Sequence, residues 1–144
     1  SPTLPSAPVD WEPEYAISAG PVLLYDGKCP FDFTLTGQGE EYYMHNFEMI
    51  PYDIFGDDVR PDRTAVGYTE DGRVILFICD GRCEKSHGAL LTELAMIMKG
   101  LGCTYAVNYD GGGSTRMIVG SENMNDVTAE ASRRVWSSIG FYRK

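Results

Sequence analysis

The residues best placed to do chemistry lie near the end of the chain, where Asp110-Gly111-Gly112-Gly113-Ser114-Thr115 follows the short apolar run Tyr105-Ala106-Val107-Asn108-Tyr109. A tight hairpin needs only one or two glycines. Three in a row strip the backbone of side chains and let a ligand approach its N–H groups. Gly111, Gly112 and Gly113 could form an anion-binding nest suited to a phosphate. Asp110 reads as a catalytic carboxylate or a cation ligand; the plainer reading is an Asx turn that bonds its own loop amides. Ser114 and Thr115 add hydroxyl donors or only cap the turn.

Other polar groups stand at similar places. Asp80-Gly81-Arg82 ends the apolar run Val74–Cys79, so Asp80 could face Asp110 across a sheet; its plain reading is an Asp-Gly turn. Arg63 follows Asp57, Asp58 and Asp62, and a surface ion pair is its plain reading. His87 could bind substrate or donate a proton near neutral pH, or simply be an exposed loop histidine. Cys79 and Cys83 are spaced like a metal pair, but neither of the two histidines is placed like a zinc ligand. Four cysteines allow three pairings, and partly buried thiols are the plain expectation.

These groups need strand ends to hold them. Thr64–Thr69 and Val74–Cys79 flank Glu70-Asp71-Gly72-Arg73, whose Asp-Gly step signals a hairpin. The second strand is apolar throughout, which predicts burial on both faces. Over 89–101, Leu90, Leu94, Ile97, Met98 and Leu101 fall at helical spacing, with Gly100 and Gly102 as stops. Ala16–Tyr25 reads as an extended segment closed by an Asp26-Gly27 turn. Further strands are expected at Tyr105, at Arg116–Val119 and at Val135–Tyr142. The fold class is α+β, a mixed, mostly antiparallel sheet with at least one packed helix. Residues 1–14 form an extended lead-in and 15–144 the domain. Residues 29–62 are expected to be loop and short irregular pieces, with the Tyr42–Phe55 aromatics in a core rather than in a sugar-stacking wall.

The 144 residues suit one domain with a single core. A formal charge of −9 with no basic stretch argues against nucleic acid or an anionic membrane as the main partner. No apolar run approaches the ~20 residues of a membrane helix. The chain starts at Ser1 without a signal segment, so it reads as trimmed.

Taken in order, RTAVGYTEDGRVILFICDGR and GALLTELAMIMKGLGCTYAVNYDGGGSTRM resemble the phosphodiester glycosidase family. AISAGPVLLYDGK resembles its upstream Gly-Pro strand, and Asn125-Asp126 with Arg134-Val135 its closing segment. The likeness covers roughly residues 15–140, with an unmatched region around 29–60. The family's usual upstream Asn-Gly-Gly-Phe-Phe-like motif is missing, Leu90 replaces a threonine and Tyr109 a leucine. The resemblance therefore implies the C-terminal part of a longer domain, completed by an upstream segment or a second chain.

The resemblance implies a hydrolase that cleaves the glycosidic C1–O bond of a sugar-1-phosphodiester, in a secreted, periplasmic or cell-surface setting. Asp110 and Asp80 would be the catalytic carboxylates that such a bond requires on its two sides. Arg63 would clamp the phosphate or a carboxylate. The glycines, Ser114, Thr115 and His87 would bind substrate, and Glu93 would support them. Carbohydrate or sugar phosphate is the expected partner. No cofactor is certain from the sequence; calcium could sit at Asp110 with help from Asp80 or Asn108. The rival reading is a non-catalytic module that binds carbohydrate or cell-wall polymer on the same scaffold.

Overall fold

A computed structural model of the chain describes residues 12–30, 60–126, 134–135 and 137–142. The main sheet contains β1 (Val22–Leu24), β2 (Arg63–Thr69), β3 (Val74–Cys79) and β4 (Cys103–Tyr109), all antiparallel, in the order β1-β4-β2-β3. One helix, α1 (Leu91–Gly100), packs on one face of it. A 3₁₀ turn at Gly112–Ser114 follows β4, then a separate ribbon of β5 (Ile118–Val119) and β6 (Glu122–Asn123). This is the expected α+β class.

The β2–β3 hairpin runs in register from Arg63↔Cys79 to Tyr68↔Val74. Gly72, at φ +88°, makes the turn that its Asp-Gly step predicted. Thr69 exchanges backbone bonds with Gly72 and Arg73, both at 3.0 Å. The Asp71 carboxylate accepts from the Thr69 hydroxyl and from Arg73 Nε at 2.9 Å. Those two bonds, the threonine's first, hold its pKa below the usual carboxylate value.

Side chains alternate along β2. Arg63, Ala65, Gly67 and Thr69 are buried, while Thr64, Val66 and Tyr68 are more open. The buried set lies under α1, whose Leu91, Leu94, Ala95 and Met98 form a stripe at helical spacing. These join Leu23, Leu24, Ala65, Cys103 and Ala106 in one core. Burying a leucine or methionine such as Leu94 or Met98 contributes roughly 1.5–3 kcal/mol. Gly67 lets the helix sit close: a Cβ there would lie 2.5 Å from Cys103 Sγ and 2.7 Å from Met98 Cε. Burial raises the pKa of the Cys103 thiol.

The helix begins after Leu90, which has no side-chain acceptor for the first amides. Glu93 partly compensates, accepting the Leu90 amide at 2.9 Å. Gly102, at φ +86°, ends the helix, and its amide bonds Lys99 O.

Four expectations need correction. β3 is not buried on both faces: Val74 is 53% and Leu76 41% exposed. It is the last strand in the sheet order, so only its helix-side residues Ile75 and Phe77 reach the core. Within the helical stripe, Ile97 and Leu101 sit at the exposed flank, and Leu91 and Ala95 take their place. The strand expected at Arg116–Val119 shrinks to the two residues of β5, because its partner is the short β6 rather than the main sheet. The described residues of Val135–Tyr142 form no strand and are exposed, since no strand edge pairs with them. The aromatics expected in a core at Tyr42–Phe55 lie outside the described residues.

Candidate active site

The ladder brings the polar groups to one end of the sheet. Arg63 pairs with Cys79 and Thr64 with Tyr109, so Asp62, Asp80 and Asp110 are the next residues out on three neighbouring strands. Strand spacing sets the backbones of Asp80 and Asp110 about 10 Å apart, with β2 between them. Cys79 shares the helix side with Arg63, whereas Tyr109 shares the outer side with Thr64. Alternation carried one residue further sends Asp80 outward and Asp110 toward the helix side. Asp80 therefore does not face Asp110 across the sheet, as the sequence led one to expect, because the two residues sit one step past strand positions of opposite orientation. The rim opens across the end of the sheet rather than from one face.

The backbone here is packed too tightly for side chains. A Cβ on Gly81 would lie 2.5 Å from Pro61 C and 2.6 Å from Asp62 N. One on Gly111 would lie 2.7 Å from Asp62 O, and one on Gly88 would collide with Arg60 O. Three glycines thus enclose residues 60–62. The glycine loop is bonded to the same segment, Gly112 N donating to Asp62 O at 2.8 Å. Ser114 N and Thr115 N close the 3₁₀ turn on Gly111 O and Gly112 O. The fold thus uses the amides of Gly112, Ser114 and Thr115 to fix the loop.

The predicted residues differ in what they can do. Asp110 is exposed at the strand end. Asp80 is half-buried; its Oδ2 accepts the Asp126 amide at 3.1 Å, and its buried Oδ1 has no hydrogen-bond partner among the described residues. Arg63 is not on the surface, as an ion-pair reading would need. It is 6% exposed, and its Nε donates to Ala89 O at 2.8 Å, tying β2 to the start of α1. Thr115 is buried with its hydroxyl 3.2 Å from that of Thr64. Ser114 is half-buried in the 3₁₀ turn. His87 is exposed and lines an open cleft of about 1010 Å³ with Arg60, Arg82, Cys83 and Glu84. Arg63, Asp80, Asp110 and Ser114, expected to share one pocket, share the rim but not the lining of this cleft.

Two groups escaped the sequence reading. Asp62 is 2% exposed, and its Oδ2 accepts no hydrogen bond among the described residues. Arg82 extends from the end of β3, its Nη2 3.5 Å from Asp62 Oδ2. The Asp80-Gly81-Arg82 step marked a strand end, but nothing local tells which of its two charged residues reaches the glycine loop. Glu93, expected to support the substrate-binding residues, forks with Arg60 at 2.6 and 2.7 Å. Arg60 first and the Leu90 amide second hold the Glu93 pKa below the usual value. Cys79 and Cys83 bond different oxygens, Asp80 O at 3.3 Å and Ser86 O at 3.6 Å. Among the described residues no three His, Cys, Asp or Glu side chains gather as a metal site.

The family description of the phosphodiester glycosidases matches residues 4–142. The chain is 39% identical over 62 residues to the mouse N-acetylglucosamine-1-phosphodiester alpha-N-acetylglucosaminidase, covering 43% of this chain and 12% of the mouse protein. It is 30% identical over 82 residues to the SPbeta prophage-derived uncharacterized protein YomE of Bacillus subtilis (strain 168), covering 57% of this chain and 13% of that one. The zebrafish N-acetylglucosamine-1-phosphodiester alpha-N-acetylglucosaminidase catalytic domain, auto-inhibited by its pro-peptide, superposes with a TM-score of 0.56 at 28% identity, over 76% of this chain and 34% of that domain. The chain thus spans a small part of its curated relatives. With the glycine rim in the strand order the motifs required, and a family match over nearly its full length, the chain belongs to the phosphodiester glycosidases.

Proposed function

We propose that this chain supplies one side of a hydrolytic site that releases a sugar from a sugar-1-phosphodiester by breaking the C1–O bond. The observation that carries the reading is the rim, where three neighbouring strands end in acids beside a glycine loop docked on Asp62. A phosphate monoester is a good leaving group, so the site needs to hold the phosphate and to stabilise positive charge at C1. Gly111, Gly113 and Ser114 face the first task. Asp110 serves the second, while Asp80, which leaves the sheet end on the opposite face, adds its charge only from behind the rim. His87 contacts the substrate beyond the rim. A segment of a longer protein, or a second chain, completes the domain, in a secreted, periplasmic or cell-surface setting.

The test is sugar release from N-acetylglucosamine-1-phosphodiesters by the full-length protein, with the anomer followed by proton NMR. Release of the sugar supports the reading, and the anomer released tells inversion from retention. Wild-type rates in both Asp110→Asn and Asp80→Asn would remove the acids from it.

One observation favours the rival binding-module reading. Tyr68 and Tyr105 are register partners on the outer sheet face, and Tyr25 meets Tyr105 edge-on at 5.5 Å. All three are exposed, and such rings can stack on sugars. Saturable sugar binding that is lost in Tyr105→Ala, without release of sugar from any diester, would favour this alternative.

A further inference from the structure

Arg63 was the arginine expected to clamp the phosphate, but its guanidinium points into the fold and bonds Ala89 O. Arg60 is engaged bidentately by Glu93. Arg82 is placed differently. Its side chain is 55% exposed and lines the open cleft. Its only ion contact among the described residues is the 3.5 Å approach to Asp62 Oδ2, too long for a strong charge-assisted bond. Its Nη2 lies 3.1 Å from where a Gly112 Cβ would stand, so the guanidinium rests on the glycine loop at the position that loop leaves bare.

The backbone of Arg82 adds an independent sign. It sits at φ +53°, the left-handed region that non-glycine residues rarely adopt. Such a conformation persists where the surrounding structure over-determines it, and it gathers at ligand clamps. Here Gly81 is locked against Pro61 and Asp62, and the Cys83–Ser86 turn follows directly. Beneath the guanidinium lies Asp62, a carboxylate 3% exposed whose Oδ2 takes no hydrogen bond. A buried carboxylate oxygen without a donor is costly, and it holds a nearby cation in place.

We propose that Arg82, held by Asp62, is the anion-binding residue of the cleft and takes the substrate's phosphate against the glycine loop. Arg82 contacts the phosphate; Asp62 acts through Arg82 as a positioning residue. The proposal deepens the phosphodiester reading and rests on it for the identity of the anion. The planar fork can bind two phosphate oxygens beside the bare backbone of Gly112. Glu84, on the same cleft wall, disfavours further negative charge and would turn a phosphodiester with a strongly acidic aglycone away.

The experiment titrates the full-length protein with inorganic phosphate and with N-acetylglucosamine 1-phosphate, by calorimetry, and measures KM and kcat on the diester. Arg82→Gly suits φ +53° and removes the guanidinium. The double variant Asp62→Asn/Arg82→Gly, which leaves no buried charge without its partner, repeats the measurement should the single variant be unstable. Phosphate affinity should fall about tenfold or more, the scale of one charge-assisted hydrogen bond. Arg82→Lys should lie between, because a point charge replaces the fork. Asp62→Asn should raise KM by about threefold with kcat nearly unchanged, as expected when uniform binding alone is weakened. Phosphate affinity unchanged in Arg82→Gly, or no phosphate binding by the parent at 10-fold above ~1 mM, overturns the proposal. Phosphate bound through Arg82 without release of any sugar would uphold it and sink the glycosidase reading instead.

Discussion

The chain places an Asp-Gly step at both ends of its main sheet, and the two ends use it for opposite reasons. At the hairpin end, Gly72 supplies a conformation: φ is +88°, and the nearest atom to a Cβ there is the Tyr68 hydroxyl at 3.8 Å. At the rim, Gly81 and Gly111 supply space: neither has a positive φ, and a Cβ on either would press on the backbone of residues 61–62. The acids differ in the same way. Asp71 is bonded to Thr69 and Arg73 within its own turn, whereas Asp110 is left exposed beside a loop docked on another strand. A turn that bonds to itself is complete, while the rim still offers donors and acids to a ligand.

The sharpest way to break this contrast is to add one methyl group at each end. Gly81→Ala should destabilise the fold by about 3 kcal/mol or more, because the contacts are with backbone and cannot move aside. Thermal or urea unfolding reads this directly, and a loss under ~1 kcal/mol would mean that residues 60–62 are loosely held.

Next comes charge. Asp110→Asn should lower diester hydrolysis by ~100-fold or more, the effect of removing one preorganised electrostatic group. Asp71→Asn should leave hydrolysis unchanged, since it sits at the far end of the sheet. Equal activity in both variants would return the glycine loop to the status of a turn.

A smaller effect belongs to the strut beside the rim. Glu93→Gln should cost about 1 kcal/mol of stability, combining a weakened helix start with a half-exposed ion pair that solvent screens. Because the folded state lowers the Glu93 pKa, its contribution is fully present above the unfolded carboxylate value, near pH 4.5, and is lost as pH falls through the lower folded value. An acid titration of stability should therefore flatten in this window in Glu93→Gln.

The smallest effect is expected at Gly72. Asn tolerates the left-handed region, so Gly72→Asn should change stability by under ~1 kcal/mol. A large loss there would erase the distinction between glycine as conformation and glycine as space.

The hairpin and helix were legible because their signals are local. Thr64–Thr69, the Asp-Gly turn and the apolar stripe over 89–101 each encode their element within a few residues. The strand ends were legible too, but not that Asp80 and Asp110 leave the sheet end on opposite faces. What the sequence hid was direction. Whether Arg63 or Arg82 reaches the loop depends on which face of β2 lies under α1, and the helix decides that by packing over Gly67 and Ala65. Asp62 was read as one acid in a charged stretch because its burial comes from Gly81, Gly88 and Gly111, all distant in sequence. β3 was misread for a similar reason: an apolar run shows that a strand can be buried, and its place in the sheet order settles how much of it is.

The grip of Gly81, Gly88 and Gly111 on residues 60–62 has a consequence for divergence. The path of the chain at the rim tolerates almost no change, yet the side chains of Asp62 and Arg82 emerge from that fixed path without shaping it. If Arg82 and Asp62 hold the anion, anion preference can change at these two positions while the three glycines keep the path. A designer seeking a new anion preference would leave the glycines alone and vary positions 62 and 82 together, keeping at 82 only residues that accept the left-handed region.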